Sequence, residues 1–221
     1  MSFETPEQLA AGIALTKKTA REFAEEANVA PMTLSRVLNS EELLRNMRAD
    51  TRERLNTCFA MHDVEFIDGG VRTSQQTTIV LSGKKGFAEF RQRVLKEVRA
   101  GNADVCVYNL DERDFDKWGE GEVNDAYRSE MAEIRKNDSN MKFRCLVKKG
   151  DKHLSAARHS DYKWVDDGHF SGIPYYIYGN NAASLIFTEE NCDIIIIRIP
   201  KYIEEKRKLF NRMWENAQEL T

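Results

Sequence analysis

The sequence predicts an α + α/β chain: an N-terminal helical helix-turn-helix domain with a small wing, then a C-terminal α/β domain with a mixed sheet. Three observations predict it. Before residue 68, apolar residues recur at spacings of three and four, the period of helices packed on one another. From residue 77 onward, strand-like runs alternate with amphipathic helices. Between them lies "DGGVRTSQQTT" (68–78), a Gly pair followed by Ser, Gln and Thr, which reads as a turn and a linker. The expected organisation is a first domain over 1–72, a linker over 73–78 and a second domain over 79–221. A chain of 221 residues with 41% hydrophobic content can build two such cores.

In the first domain, Leu9 and Ile13 mark one face of an opening helix. A second helix spans Thr19 to Ala27, with Phe23, Ala24 and Ala27 inward and Arg21, Glu22, Glu25 and Glu26 outward. Asn28 follows, a residue type that tolerates the left-handed backbone at a helix end. Pro31 suits the first turn of the next helix, where its missing N–H costs nothing, and Leu34, Val37 and Leu38 give that helix a buried face. "DTRE" (50–53) reads as a further helix start, with Asp50 as cap and Glu53 reaching back. Leu55, Cys58 and Phe59 face inward on it. "VEFIDGGVR" alternates and turns at Asp68-Gly69, as a small hairpin would.

The second domain reads as β-α-β-α-β, a hairpin, a strand and a helix. "TTIVLS" (77–82) is a strand. Gly86 to Ala100 is an amphipathic helix stopped by Gly101, with Phe87, Phe90, Val94, Leu95 and Val98 on one face. "ADVCVYNL" (103–110) is a strand, 122–136 a helix and "MKFRCLV" (141–147) a third strand. "IPYYIYGNNAASLIF" (173–187) is a hairpin turning at Gly179-Asn180-Asn181. "CDIIIIRI" (192–199) reads as a strand buried on both faces. Residues 202–219 close the chain with an amphipathic helix that turns Ile203, Leu209, Phe210, Met213 and Trp214 inward.

Composition narrows the function classes. No run of about 18 apolar residues predicts a membrane span, and "MSFETPEQLA" lacks the basic-then-apolar pattern of a signal peptide. Cys58, Cys106, Cys145 and Cys192 form no C-x-x-C pair, so neither a zinc site nor a disulfide framework is expected. A cytoplasmic protein without cofactor follows. The net charge of −3 does not itself point to nucleic acid. DNA binding would have to come from local placement of charge.

That placement is readable. A helix-turn-helix needs a small residue where its helices cross, supplied by Ala24, a turn four residues on, at Asn28, and apolar residues at Phe23, Val29, Leu34 and Val37. Its second helix would lie in the major groove, where base edges carry a distinct donor and acceptor pattern. The outward residues are Pro31, Met32, Thr33, Ser35 and Arg36, with Asn39 at the helix end. Met32 or the Thr33 methyl suits a thymine methyl, and Arg36 suits guanine or a phosphate. Lys17, Lys18 and Arg21 gather at the start of the preceding helix, a phosphate position. Arg45, Arg48, Arg52 and Arg54 would form a basic rim. Residues 1–72 nevertheless carry nine Lys/Arg against twelve Asp/Glu. A plain helical bundle is the alternative.

"TAREFAEEANVAPMTLSRVLN" resembles the helix-turn-helix of Xre/Cro-type and lactose-repressor-type regulators, and "ADTRERL…VEFIDGGVR" resembles the end of Xre-like domains. The resemblance covers about residues 9–72, with Asn28 where the family usually has Gly. "IPYYIYGNNAASLIF…CDIIIIRIPKYIEEKRKLFNRMWENA" resembles the C-terminal part of the phospholipase D-like sensor domain of TrmB-type regulators, over about residues 78–220. Active phospholipase D-type enzymes need His-x-Lys-x4-Asp. Here His62 is followed by Asp-Val, His153 by Leu-Ser, His159 by Ser-Asp and His169 by Phe-Ser. No catalytic residue is assigned, and a P-loop and a G-x-S-x-G elbow are also missing.

The segment "RHSDYKWVDDGHFSG" (158–172) reads as a solvated loop, with a pocket rim or a metal cluster of His159, Asp161 and His169 as alternatives. Arg144, charged in mid-strand, is expected to pair with Asp111 or Glu112 or to hold an anion. Tyr108, Asn109, Arg144, Trp164 and Tyr178 are the candidate ligand cleft. Taken together, the resemblances imply a regulator that binds a double-stranded DNA operator as a homodimer and responds to a small-molecule effector. The alternatives are an enzyme or nucleic-acid-processing effector built on the α/β domain, and a domain that only dimerises.

Overall fold

The computed structural model describes residues 2–73, 77–119 and 121–220. The chain divides into two compact units, Met1–Gln75 and Gln76–Thr221. It is an α + α/β protein, helical at its N-terminal end and built on a large mixed sheet at its C-terminal end. No helix among the described residues is long and apolar enough to cross a membrane.

The first unit runs α1 (Pro6–Leu15), α2 (Ala20–Glu26), α3 (Pro31–Leu38), α4 (Glu41–Arg45), α5 (Ala49–Met61), β1 (Val64–Ile67) and β2 (Gly70–Thr73). Its core gathers Leu9, Phe23, Ala24, Leu34, Leu55 and Phe59 with Phe66 from the hairpin. The hairpin pairs Ile67 with Gly70, so Asp68 and Gly69 are its two-residue loop, and Gly69 has φ +67°. Gly12 on α1 is a close-approach position: a Cβ there would sit 2.8 Å from the Phe66 ring and 3.0 Å from that of Phe59.

One expectation fails in this unit, and one helix was not anticipated. The helix expected to start on an Asp50 cap begins at Ala49, and its N-cap, Arg48, makes no side-chain cap. Asp50 is already inside the first turn, where it pairs with Arg54 at 3.4 Å one turn on. The short α4 went unread because only Leu44 of its five residues is buried. Ser40 caps it, accepting from the Leu43 N–H at 3.3 Å.

The second unit runs β3 (Thr78–Ser82), α6 (Gly83–Arg99), β4 (Asp104–Leu110), α7 (Glu112–Trp118), α8 (Gly121–Asn137), β5 (Lys142–Lys148), β6 (Asp161–Val165), β7 (Tyr175–Tyr178), β8 (Asn181–Phe187), β9 (Cys192–Ile197), α9 (Pro200–Asn216) and β10 (Gln218–Glu219). The sheet order is β10-β6-β5-β4-β7-β8-β9-β3. β4, β5 and β6 are mutually parallel, and the other pairings are antiparallel. On one face α6, α7 and α8 bury Phe90, Phe115 and Met131 against Val107, Cys145 and Tyr176. On the other, α9 lays Ile203 and Phe210 over Cys106, Leu146 and Ile177.

Several boundaries differ from expectation. Thr73 ends β2 and Thr78 begins β3, while residues 74–76 of the expected linker lie outside the described residues. α6 begins at Gly83 rather than Gly86. α7 was not anticipated, since a seven-residue helix offers too few turns for a periodic signal. β6 lies inside the segment read as a loop; "DYKWV" is polar because only Val165 is buried, and its strand form comes from parallel pairing with β5. β9 is buried on alternate residues, Cys192, Ile194 and Ile196, rather than on both faces, because the opposite side of this end of the sheet is less covered. Leu209 of α9 is 38% exposed.

Candidate nucleic-acid interface

The region of interest is α2, the turn after it and α3. α2 opens with a reciprocal cap: the Thr19 hydroxyl accepts from the Glu22 N–H at 3.2 Å, and the Glu22 carboxylate accepts from the Thr19 N–H at 2.8 Å. These hydrogen bonds, with Lys18 nearby, hold the Glu22 carboxyl below its ordinary range. The turn is made by Asn28 at φ +53°. The Val29 N–H then reaches back to the Ala24 carbonyl at 2.8 Å. Ala24 is fully buried, so a larger side chain would have no space at this crossing. From α5, Arg54 donates to the Asn28 carbonyl at 3.0 Å and braces the turn.

α3 starts on Pro31, with the Ala30 carbonyl accepting from the Thr33 and Leu34 N–H groups. Leu34 and Val37 are buried. Pro31, Met32, Thr33, Ser35 and Arg36 are all exposed, and Met32 shows 67% of its surface. An exposed methionine on a helix whose other face is fully packed is an unspent apolar contact. Arg36 makes no ion pair among the described residues. Asn39 spends its amide N–H on the Ser35 carbonyl at 2.7 Å, closing the helix, which leaves its side-chain oxygen outward.

The other expected basic residues divide into two groups. Lys17, at φ +59°, is exposed and without an ion pair among the described residues. Lys18 pairs with Glu26 at 3.1 Å and Arg21 with Glu25 at 3.0 Å. The Arg21–Glu25 pair is exposed, and such pairs contribute about 0–1 kcal/mol, so a phosphate can compete for Arg21; the Lys18–Glu26 pair is half-buried. Arg45 pairs with Glu41 and Arg48 with Asp50. Arg52 does not belong to a basic rim. It donates to the Phe3 carbonyl at 2.9 Å and the Leu44 carbonyl at 2.7 Å, over the Phe3 ring, and ties the N-terminus to α4.

The five residues expected to line one ligand cleft do not converge. Tyr108 stacks on Tyr175 at 5.1 Å, and burial pushes its phenol up to about 12. Asn109 sits at a bulge in β4 with φ +57°, where its amide clamps Ser171 and the Ile173 carbonyl. Arg144 pairs with Asp104 at 2.9 Å, not with Asp111 or Glu112, and lies over Phe210 and Trp214 of α9. Tyr178 is fully buried against Phe90 on the opposite face of the sheet. Trp164 borders a cleft of about 430 Å³ with Asp166, His169, Arg212, Met213 and Asn216.

His159, Asp161 and His169 do not assemble as metal ligands. Asp161 pairs with Arg135 at 2.8 Å, and His169 is exposed. His159 is 1% exposed, edge-on to Phe143, and its Nδ1 has no partner. Burial, then the guanidinium charges of Arg91, Arg128, Arg135 and Arg158, push its pKa down to about 3.

No family model matches the sequence, and no curated protein matches it. Among solved structures the chain is similar to TrmBL2, described as an archaeal chromatin protein with a novel mode of DNA binding. The TM-score is 0.42 at 12% identity, over 87% of this chain and 72% of that one.

Two predictions follow from this geometry. Replacing Asn28 by Ala puts an ordinary side chain at a left-handed position and is expected to cost about 1–2 kcal/mol in denaturant unfolding. Asn28→Gly should be neutral or slightly stabilising, and an alanine variant as stable as the parent would refute the role of the turn. The second concerns pH. His159 takes up a proton in the unfolded chain near its ordinary 6.5 but refuses it when folded until about 3. The unfolded state therefore binds more protons in that window, so stability is retained above pH 6.5 and lost as pH falls toward 3. The His159 share of that slope approaches 1.4 kcal/mol per pH unit. His159→Gln should flatten the stability–pH curve over this range, and an unchanged slope would show that His159 is not held neutral.

Proposed function

We propose that the chain is a sequence-specific, double-stranded-DNA-binding transcription regulator and not an enzyme. In this reading it acts as a homodimer, and its C-terminal unit also takes up a small-molecule effector. The observation that carries the reading is the division of α3 into two sides. Leu34 and Val37 are spent on the core, while Met32, Thr33, Ser35 and Arg36 stand outward on a helix fixed to α2 by a tight left-handed turn. A helix displayed this way offers methyl, hydroxyl and guanidinium groups to the major groove.

Electrostatics favour recognition over bulk attraction. The first 72 residues are net acidic, so long-range attraction to a polyanion is weak. Lys17 and Arg36 are cations with no carboxylate to satisfy among the described residues, and they would meet the duplex first. Arg21 can follow by exchanging Glu25 for a phosphate. A dimer is required on energetic grounds, because one short helix with few phosphate contacts holds a half-site weakly. The cleft beside Trp164 supports the effector, being within the size range of small-molecule sites.

The test is selection of bound duplexes from a random pool, then binding titrations at several salt concentrations. Arg36→Ala is expected to cost about 1–3 kcal/mol on the selected site and to relax preference at one position. Lys17→Ala should weaken all sequences alike and reduce the salt slope by about 1 per protomer. Equal losses for both variants on selected and random DNA would remove Arg36 from the base edges, and an unenriched pool would remove the reading altogether. Light scattering that finds a monomer with and without the selected duplex would overturn the dimer.

The effector half of the proposal has its own readout. A metabolite that raises the melting temperature of the full chain should change its affinity for the selected duplex, by about 5–150-fold for ordinary coupling. A stabilising ligand that leaves DNA affinity untouched would reduce the C-terminal unit to dimerisation.

A further inference from the structure

Cys58 lies in the last turn of α5, and His62, four residues on, is the residue that caps the helix at its C-terminal end. This end of the helix meets the C-terminal end of α2, where Glu26 sits. His62 Nε2 lies 3.0 and 2.9 Å from the two Glu26 carboxylate oxygens. The donor atoms of Glu26, Cys58 and His62 all lie within 4.8 Å of one another. Cys58 is 1% exposed, and the His62 and Glu26 side chains are 10% and 25% exposed. We propose that Glu26, Cys58 and His62 form a binding site for a divalent, thiophilic metal ion of the zinc class.

The chemistry of the donors selects the ion. Thiolate, imidazole and carboxylate are the three ligand types that Zn²⁺ takes, whereas Mg²⁺ and Ca²⁺ take oxygen alone. Bonds of about 2.0–2.3 Å in tetrahedral geometry place donors roughly 3.3–3.7 Å apart. Bringing three donors from within 4.8 Å to that spacing needs side-chain movements on the order of 1 Å. Glu26, the most exposed of the three, can supply them by rotating. The fourth position is left to water on the solvent side.

Charge balances as well. A Cys58 thiolate and a Glu26 carboxylate neutralise a dication, with His62 bound as the neutral imidazole through Nε2 and its proton on Nδ1. On binding, the Cys58 S–H bond breaks, its proton goes to buffer and a sulfur–metal bond forms. His62 likewise sheds any proton from Nε2. Lys18 Nζ, 3.1 Å from Glu26, competes for that carboxylate.

The test is titration of metal-free full-length protein with Co²⁺, a spectroscopic stand-in for Zn²⁺. One equivalent per chain should produce the visible bands of tetrahedral cobalt and a near-ultraviolet thiolate charge-transfer band, both abolished by Zn²⁺. Zinc should raise the melting temperature of the chain. Glu26→Gln and His62→Asn, which leave the buried Cys58 in place, should each weaken binding by at least tenfold, and Cys58→Ser should remove the charge-transfer band. Absence of that band in the parent protein would overturn the proposal even if the Cys58 variant failed to fold. So would a band that survives in the Glu26 and His62 variants, since the thiolate would then belong to Cys106, Cys145 or Cys192.

Discussion

One backbone position sets the architecture of the proposed DNA-reading surface. At Asn28 the chain takes φ +53°, a conformation that ordinary side chains resist. Only that reversal lets the Val29 N–H return to the Ala24 carbonyl and brings Leu34 and Val37 of α3 onto Phe23 and Ala24 of α2. The direction in which Met32, Thr33, Ser35 and Arg36 face is therefore a consequence of the turn and not of α3 itself. Arg54, reaching the Asn28 carbonyl from α5, extends the same constraint to the rest of the unit.

The second unit rests on a different constraint. Its central strands are covered on both sides, so every residue of β7 is buried and the helices have to be distributed over two faces. α9 is the sole helix among the described residues that covers the second face, and charge fixes it there. Asp104 on β4 receives Arg144 from β5 and Arg207 from α9, the latter at 2.8 Å, while Phe210 and Trp214 lie under the Arg144 guanidinium. A half-buried arginine in a strand is costly without partners. Here the carboxylate, the Asn211 amide oxygen at 3.1 Å and two ring faces engage the guanidinium, while its Nε has no hydrogen-bond partner among the described residues. A residue that looked like an anion receptor from the strand alone is a bracket between sheet and helix.

Pairing of opposite charges likewise bears on how an acidic unit could present the proposed reading surface. Most of its arginines are occupied by carboxylates on their own helices or by backbone carbonyls, Arg52 being the fullest case. Their count therefore says little about attraction to a phosphate backbone. Position decides it: Lys17 and Arg36 are exposed and make no ion pair among the described residues.

The sequence by itself determined the local pieces. Period, caps and turn residues located α1, α2, α3, the β1–β2 hairpin with its Asp-Gly loop, and the strands and helices with long apolar faces, because each of these is stabilised by residues close in sequence. The exposed face of α3 was legible for the same reason: once Leu34 and Val37 are inward, helical geometry leaves Met32, Thr33, Ser35 and Arg36 no other direction. What depended on distant partners was not legible. β6 is a strand only because β5 lies beside it; Arg144 answers to Asp104, not to the nearer-seeming Asp111; and Tyr178 and Tyr108 fall on opposite faces of the sheet through register alone. The same limit hid the grouping of Glu26 with Cys58 and His62. The four-residue step from Cys58 to His62 was visible in the chain, but Glu26 lies 36 residues from His62. Only the packing of α2 against α5 brings the carboxylate to the imidazole and the thiol, and nothing local in the sequence encodes a contact made by two helices meeting.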